Sequence, residues 1–144
     1  MKMAEQINIF LDNKPGRLRA VTGILADNGI NLRAVVIQDH TDYGMVKMLV
    51  DEPCRAREFL TTAGFACALK NVLTVLVPDR PGGLHRLFVA LDEKGINVLD
   101  AYGFIVESRK EAAVCIEVQS LDAAAAIAEK NGFKLISAEE IYGL

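Results

Sequence analysis

The 144-residue sequence predicts an α+β fold built from two copies of a βαββαβ unit. The first observation is an internal repeat, because residues 15–31 recur 66 positions later, at residues 81–97, with seven of seventeen positions identical. Composition alone would give about one identity over that length. The second observation is the spacing of apolar residues. They alternate, as in strands, before and after each copy of the repeated segment, and they recur at helical spacing within it. The sequence therefore divides into halves at residues 1–70 and 71–144.

The first half reads in the order strand, helix, strand, strand, helix, strand. Pro15 suits the first turn of a helix, and Gly29 is able to end that helix with a positive φ. Pro53 opens the second helix in the same way, and Gly64 ends it. The strands are indicated by apolar alternation or β-branched runs at residues 7–11, 30–38, 46–50 and 65–70.

The second half repeats this order, with strands expected at residues 73–77, 97–107 and 114–118 and helices at 81–94 and 120–131. Gly132 and Phe133 match Gly64 and Phe65 at an offset of 68, so the second half carries two extra residues between its helices. Each half should form a four-stranded antiparallel sheet with both helices on one face. This is the ferredoxin-like arrangement.

The composition excludes several classes of protein. The net charge is −3 with both signs interspersed, which argues against a nucleic-acid partner. No apolar run reaches the length of a membrane span, and the first residues do not read as a signal peptide. We therefore expect a cytoplasmic protein with no membrane partner. Its three cysteines have no CxxC spacing and are expected to be small buried hydrophobes.

The repeated turn carries the chemistry. Each helix start leaves backbone N–H groups without partners, and these groups favour a carboxylate or a phosphate. Gly16 and Gly82 lack the β-carbon that would keep a ligand away from the backbone. A polar acceptor, Asn13 or Asp79, lies just before each proline. Donors beside an acceptor suit a molecule that has both a carboxylate and an ammonium, which is a free amino acid. The alternative is that each turn only begins a helix.

The two motifs together resemble the signature of the ACT domain, over essentially the whole chain. The first copy reads Asp-Asn-Lys-Pro-Gly-Arg-Leu at 12–18 with Gly-Ile-Asn at 29–31, and the second reads Asp-Arg-Pro-Gly-Gly-Leu at 79–84 with Gly-Ile-Asn at 95–97. The resemblance implies amino-acid binding at interfaces between domains. The ligand-binding residues that it implies are Asn13, Pro15, Gly16, Leu18, Asn31, Asp79, Pro81, Gly82, Leu84 and Asn97.

The two copies differ around this motif, so we do not expect equivalent sites. Asp79 places a charge where the first copy has the amide of Asn13. Lys14, Arg17 and Arg33 surround the first motif, so we expect the better-formed site there.

No catalytic or metal-binding motif is readable, so we expect a non-enzymatic protein without cofactor or metal. His40 and His85 are expected to be solvated surface residues. RNA recognition by the sheet is disfavoured because Val46 and Met48 stand where paired aromatic residues would be needed. The sequence favours a sensor that binds a free amino acid as a homodimer and acts on a regulated enzyme or regulator. A ligand-free assembly or protein-interaction module, and an enzyme whose site is not readable from motifs, remain as alternatives.

Overall fold

The computed structural model describes residues 1–12, 14–39, 43–104, 106 and 110–144. Within these ranges the chain forms β1 (Ala4–Leu11), α1 (Arg17–Asp27), β2 (Leu32–Asp39), β3 (Gly44–Val50), α2 (Pro53–Thr62), β4 (Ala66–Pro78), α3 (Gly83–Glu93), β5 (Val98–Phe104), β6 (Glu111–Val118), α4 (Leu121–Lys130), β7 (Lys134–Leu135) and α5 (Ala138–Tyr142). The chain separates into two compact units. The first unit holds residues 5–70 with 143, and the second holds residues 1–4 and 71–142 with 144.

The sheet of the first unit has the strand order β2-β3-β1-β4. Strands β1 and β2 each pair antiparallel with β3, with Ile7 opposite Met48 and Ile37 opposite Val46. Alternate residues of the strands pack against α1 and α2 in one core. That core contains Ile7, Ile9, Val21, Leu25, Ile30, Val46, Met48, Val50, Ala56 and Leu60.

The second unit repeats this order as β7-β4-β6-β5, and β6 pairs antiparallel with both β4 and β5. Its core packs residues of α3 and α4 against the strands. Leu87 and Leu91 of α3 and Ala124 and Ala128 of α4 are fully buried there. The two units therefore have the same topology, and the prediction of two ferredoxin-like repeats is confirmed.

Strand β5 covers Val98–Phe104 of the strand expected at 97–107, and residues 105 and 107 lie outside the described residues. The structure differs more clearly from the sequence analysis in strand β4 and in helix α5. The strands expected at 65–70 and 73–77 form a single thirteen-residue strand, β4. Between them lie Asn71 and Val72, and neither is a glycine or a proline that would interrupt a strand. Helix α5 was not expected. The Ser137 hydroxyl accepts a hydrogen bond from Glu140 N–H (3.2 Å), and a serine followed three residues later by a glutamate is the sequence signal of a capped helix start.

Residues 1–4 belong to the second unit. The backbone N–H of Ala138 donates to the carbonyl of Lys2 (2.8 Å), and Met3 packs against the apolar core of that unit. The first residues of the chain and α5 therefore stabilise each other's position.

Helices α1 and α3 are the longest described, with 11 residues each. No described helix has the length and apolar character that a membrane span requires.

Gly83 allows α3 to begin close to the preceding strand. A β-carbon at this position would lie 2.1 Å from the carbonyl oxygen of Pro78, which is a backbone atom that cannot move aside easily. The first helical residue of α3 must therefore be glycine to keep this approach.

We expect Gly83→Ala to destabilise the protein by about 1–3 kcal/mol, the usual cost of overpacking. Gly23→Ala is the matched control, because Gly23 lies within α1 and an added β-carbon there meets nothing within 4 Å. It should stabilise by about 0.5–1 kcal/mol. Urea unfolding of the two variants measures both effects. Equal stability of the two variants would contradict the close approach.

Candidate functional site

The two Pro-Gly turns have the same backbone geometry. Gly16 has φ +91° and Gly82 has φ +86°, and each is the residue that precedes a helix, α1 or α3. Neither helix start has a side-chain cap. Among the described residues, the N–H groups of Leu18 and Leu84 have no hydrogen-bond acceptor. Donors of this kind, at the positive end of a helix dipole, are suited to an anionic group.

The cations of the first turn are engaged by a carboxylate of the same turn. Asp12 lies 3.1 Å from Nζ of Lys14 and accepts a hydrogen bond from Nε of Arg17 (2.9 Å). These contacts, with Lys14 the larger cause and Arg17 next, lower the pKa of the Asp12 carboxyl below its ordinary value of 3.8. Lys14 and Arg17 therefore neutralise Asp12.

The second turn lacks this arrangement. At the offset of 66, Pro78 takes the place of Asp12 and Gly83 takes the place of Arg17. Asp79 and Arg80 are both exposed, and neither forms an ion pair within the described part of the chain. Backbone bonds fix the turn, because Asp79 N–H donates to the Lys110 carbonyl (3.0 Å) and Arg80 N–H to the Pro78 carbonyl (2.9 Å). The second turn thus presents one carboxylate and one guanidinium.

A cavity of about 360 Å³ lies at this second turn. The turn contributes Asp79 and Arg80, and α3 contributes Leu84. The rest of the wall is mainly apolar and comes from three neighbouring strands, with Val77 and Pro78 of β4, Ala101, Tyr102 and Gly103 of β5, and Ala112 and Val114 of β6. Its volume lies in the range of small-molecule sites, about 300–1,000 Å³.

Tyr102 adds no charge to this wall at neutral pH. Burial is the main cause that raises the pKa of its phenol, and the neighbouring Cys115 adds to the effect. Burial also raises the pKa of the Cys115 thiol to about 11. Within the described lining, the charges therefore come from Asp79 and Arg80 alone.

The cysteines do not share one environment. Cys115 is buried, as the sequence predicts, whereas Cys67 is half-buried and Cys54 is exposed. No group of three histidine, cysteine or acidic side chains in the described ranges could hold a metal ion. His85 is exposed, and His40 lies outside the described residues.

The residues implied by the motif divide into two groups. Asp79 and Leu84 line the cavity, while Pro81 and Gly82 shape the turn beside it. Asn97 lies beyond the other end of α3. Because an eleven-residue helix is about 16 Å long, Asn97 and the cavity lie at opposite ends of the same unit.

The first unit has the same arrangement. Pro15 and Gly16 precede α1, Leu18 packs on the core, and Asn31 lies beyond the far end of the helix. The N–H of Asn31 donates to Oδ1 of Asp51 (3.0 Å), and its carbonyl accepts from Asp51 N–H (3.1 Å). Asn13 lies outside the described residues, and the preference for the first turn as the better site stays a prediction.

Sequence reasoning missed Arg80, Ala101 and Gly103 as lining residues. A signal for the two strand positions was present, because the first repeat carries Val35 and Ile37 where the second carries these small residues.

A family model described as an ACT domain pair matches residues 2–141. The chain belongs to the ACT domain pair family. A solved structure that covers almost the whole chain agrees. Protein BT0572 from Bacteroides thetaiotaomicron is 31% identical, with 99% of this chain and 97% of that chain covered and a TM-score of 0.92.

More distant structures share the fold of the ACT domain pair. The regulatory subunit of aspartate kinase from Thermus thermophilus, in a ligand-free form, is 19% identical with a TM-score of 0.68, over 91% of this chain and 94% of that one. The corresponding subunit from Thermus flavus is 18% identical with a TM-score of 0.63 and the same coverage. No curated protein matches the sequence significantly.

We expect Lys14→Gln to raise the pKa of Asp12 towards 3.8, because it removes the larger of the two contacts that hold this pKa down. The contribution of these contacts to stability is present above pH 3.8 and is lost as the pH falls through the lower folded pKa. Carboxyl ¹³C NMR titration measures the pKa. Arg19→Gln is the control, since Arg19 has no contact with Asp12 among the described ion pairs. An equal effect of both variants would contradict the specific contact.

Proposed function

We propose that this ACT domain pair is a regulatory protein that binds a free amino acid and has no catalytic activity of its own. One observation carries the proposal. At the second turn, Asp79, Arg80 and the N–H groups that begin α3 border an apolar cavity. A carboxylate attracts an ammonium group, whereas a guanidinium and uncapped N–H groups attract a carboxylate. An α-amino acid carries both groups on one carbon atom and presents its side chain to the cavity.

The distance between the two parts of the motif supports a ligand held at domain interfaces. Asp79 and Asn97 are separated by the length of α3, and the first turn and Asn31 by the length of α1. One amino acid cannot reach both ends of a helix about 16 Å long. Asn31 or Asn97 would therefore contact the ligand only from another ACT domain. We propose that the chain contains two such domains, at residues 1–70 and 71–144, and assembles as a homodimer.

The mechanism of regulation would be linkage between ligand and assembly. An amino acid that contacts two domains favours the arrangement in which they meet, and a partner that binds this arrangement better responds to the amino acid. We propose that this partner is an enzyme or a regulator. The regulatory subunits of aspartate kinase that share the fold support this class of role. The free thiols of Cys54, Cys67 and Cys115 suit a reducing compartment, so we place the protein in the cytoplasm.

A second candidate function is ligand-free assembly. The edge strand β2 exposes Val35 and Ile37, each by about half of its surface (51% and 50%). Exposed apolar residues on an edge strand favour pairing with another chain. The module would then serve to join proteins, and the two turns would only begin helices.

We expect one or a few free amino acids to raise the thermal unfolding temperature when each common amino acid is added at millimolar concentration. A ligand at about a hundred times its Kd stabilises by about 2.7 kcal/mol, which shifts the midpoint by several degrees. Asp79→Ala should lower the affinity at least about tenfold in isothermal titration calorimetry, because an ammonium group loses its charged acceptor.

Glu129→Ala is the control, since it removes the same charge from an exposed position on α4, away from both parts of the motif. It should leave the affinity unchanged. Absence of any shift across the panel would contradict the sensor and favour the assembly module.

We also expect Asn31→Ala and Asn97→Ala to weaken binding without unfolding the protein. The hydrogen bond from Asn31 to Asp51 comes from the backbone and is therefore retained in the alanine variant. Both side chains are exposed, so their loss should change stability by no more than about 0.5 kcal/mol. Calorimetry compares each variant with Asn28→Ala, whose side chain donates to the Ile24 carbonyl of its own helix (2.8 Å). Unchanged affinity in both asparagine variants would contradict a site shared between domains.

A further inference from the structure

The cavity of the second unit lies where its edge strand has lost side-chain volume relative to the first unit. Strand pairing establishes which positions correspond. Gly103 lies opposite Val114 in the second unit, and Ile37 lies opposite Val46 in the first. At the neighbouring position, Ala101 lies opposite Ile116 as Val35 lies opposite Met48.

The second unit therefore carries alanine for Val35 and glycine for Ile37 on the same face of the sheet. These replacements remove two side-chain carbon atoms at the first position and four at the second. Ala101 and Gly103 both line the cavity. The space beside the start of α3 thus depends on these two small residues.

The rest of the wall selects the kind of side chain that fits. Val77, Leu84 and Val114 are apolar, and Leu84 is 40% exposed in this structure, so that a ligand would cover it. A polar side chain placed against this wall would lose its hydrogen bonds to water without gaining equivalent partners. A large apolar side chain gains from the same burial.

We infer that the cavity of the second unit takes an α-amino acid with a large apolar side chain, and that Ala101 and Gly103 set the size limit. The inference rests on the proposed function and adds the class of ligand and the residues that select it. Asp79 and Arg80 would hold the ammonium and carboxylate groups, which all amino acids share. Selectivity would come from the apolar wall, since its fit differs from one side chain to another.

Calorimetry on the full chain with leucine, phenylalanine, alanine and aspartate tests this inference. Leucine or phenylalanine should bind at least about tenfold more tightly than alanine or aspartate, in keeping with the discrimination that apolar pockets achieve. Ala101→Val and Gly103→Ile, which copy the first unit, should each weaken binding of the large ligand at least about tenfold.

Both variants should fold. An added β-carbon at Gly103 comes no nearer than 3.6 Å to the Ala113 carbonyl, and β-branched residues suit a strand. Their unfolding temperatures without ligand verify this directly. Leu99→Ile is the matched control, because Leu99 lies on the same strand, is 50% exposed and is not part of the described lining. Its affinity should equal that of the unchanged protein.

The outcomes separate this inference from the proposed function. Tight binding of alanine or aspartate in preference to the large ligands would overturn the inference and keep the sensor. Binding of large ligands that Ala101→Val and Gly103→Ile both leave unchanged would also overturn it. Absence of binding by all free amino acids would overturn both.

Discussion

A left-handed glycine organises each unit at the point where its first strand becomes its first helix. Gly16 and Gly82 have φ near +90°, a backbone conformation that other residues rarely adopt. This turn lays α1 or α3 across the sheet, so that Leu25 of α1 and Leu91 of α3 reach fully buried positions in their cores. Glycine at this position also provides no side chain that could cap the helix start. The residue that builds the fold therefore also leaves backbone N–H donors at the helix start that would suit an anionic group.

The two copies of this turn differ in their charged residues and in the free space beside them. In the first, Asp12 engages Lys14 and Arg17. In the second, Pro78 and Gly83 stand at the positions of Asp12 and Arg17, while Arg80 stands at that of Lys14. Gly83 also brings α3 close to the carbonyl of Pro78. The edge strand has changed in parallel, with small residues in place of Val35 and Ile37. Together these differences leave one carboxylate, Asp79, and one guanidinium, Arg80, beside an apolar cavity in the second unit.

Much of the fold could be predicted because the repeat and the apolar periodicity are local signals. The Pro-Gly turns and the glycines that end the helices fix most element boundaries to within a few residues. The continuity of β4 could not be inferred with the same ease, since asparagine, here Asn71, is uncommon in strands, whereas Val72 favours one. Helix α5 was missed although Ser137 and Glu140 carry a capping signal.

The candidate site was predicted less completely. The motif includes Asp79 and Leu84, which line the cavity beside the start of α3. It could not identify Ala101 or Gly103 as cavity residues. A cavity forms where several small residues lie next to each other, and only the pairing of the strands shows which residues are neighbours. Comparing the sizes of the residues at equivalent positions of the two repeats, rather than looking for identical residues, would have found them. Asn31 and Asn97 belong to the same motif as the two Pro-Gly turns, yet each lies at the far end of a helix from its turn.

The most direct test of this account is a ¹⁵N–¹H NMR titration of the full chain with leucine and with phenylalanine. The amide signals of Leu84 and His85, in the first turn of α3, should shift furthest, accompanied by those of Ala101 and Gly103 on β5. Such a pattern would place the charged groups of the ligand at the helix start and its side chain against the small residues. Saturating ligand that leaves these four amides unchanged would contradict the account.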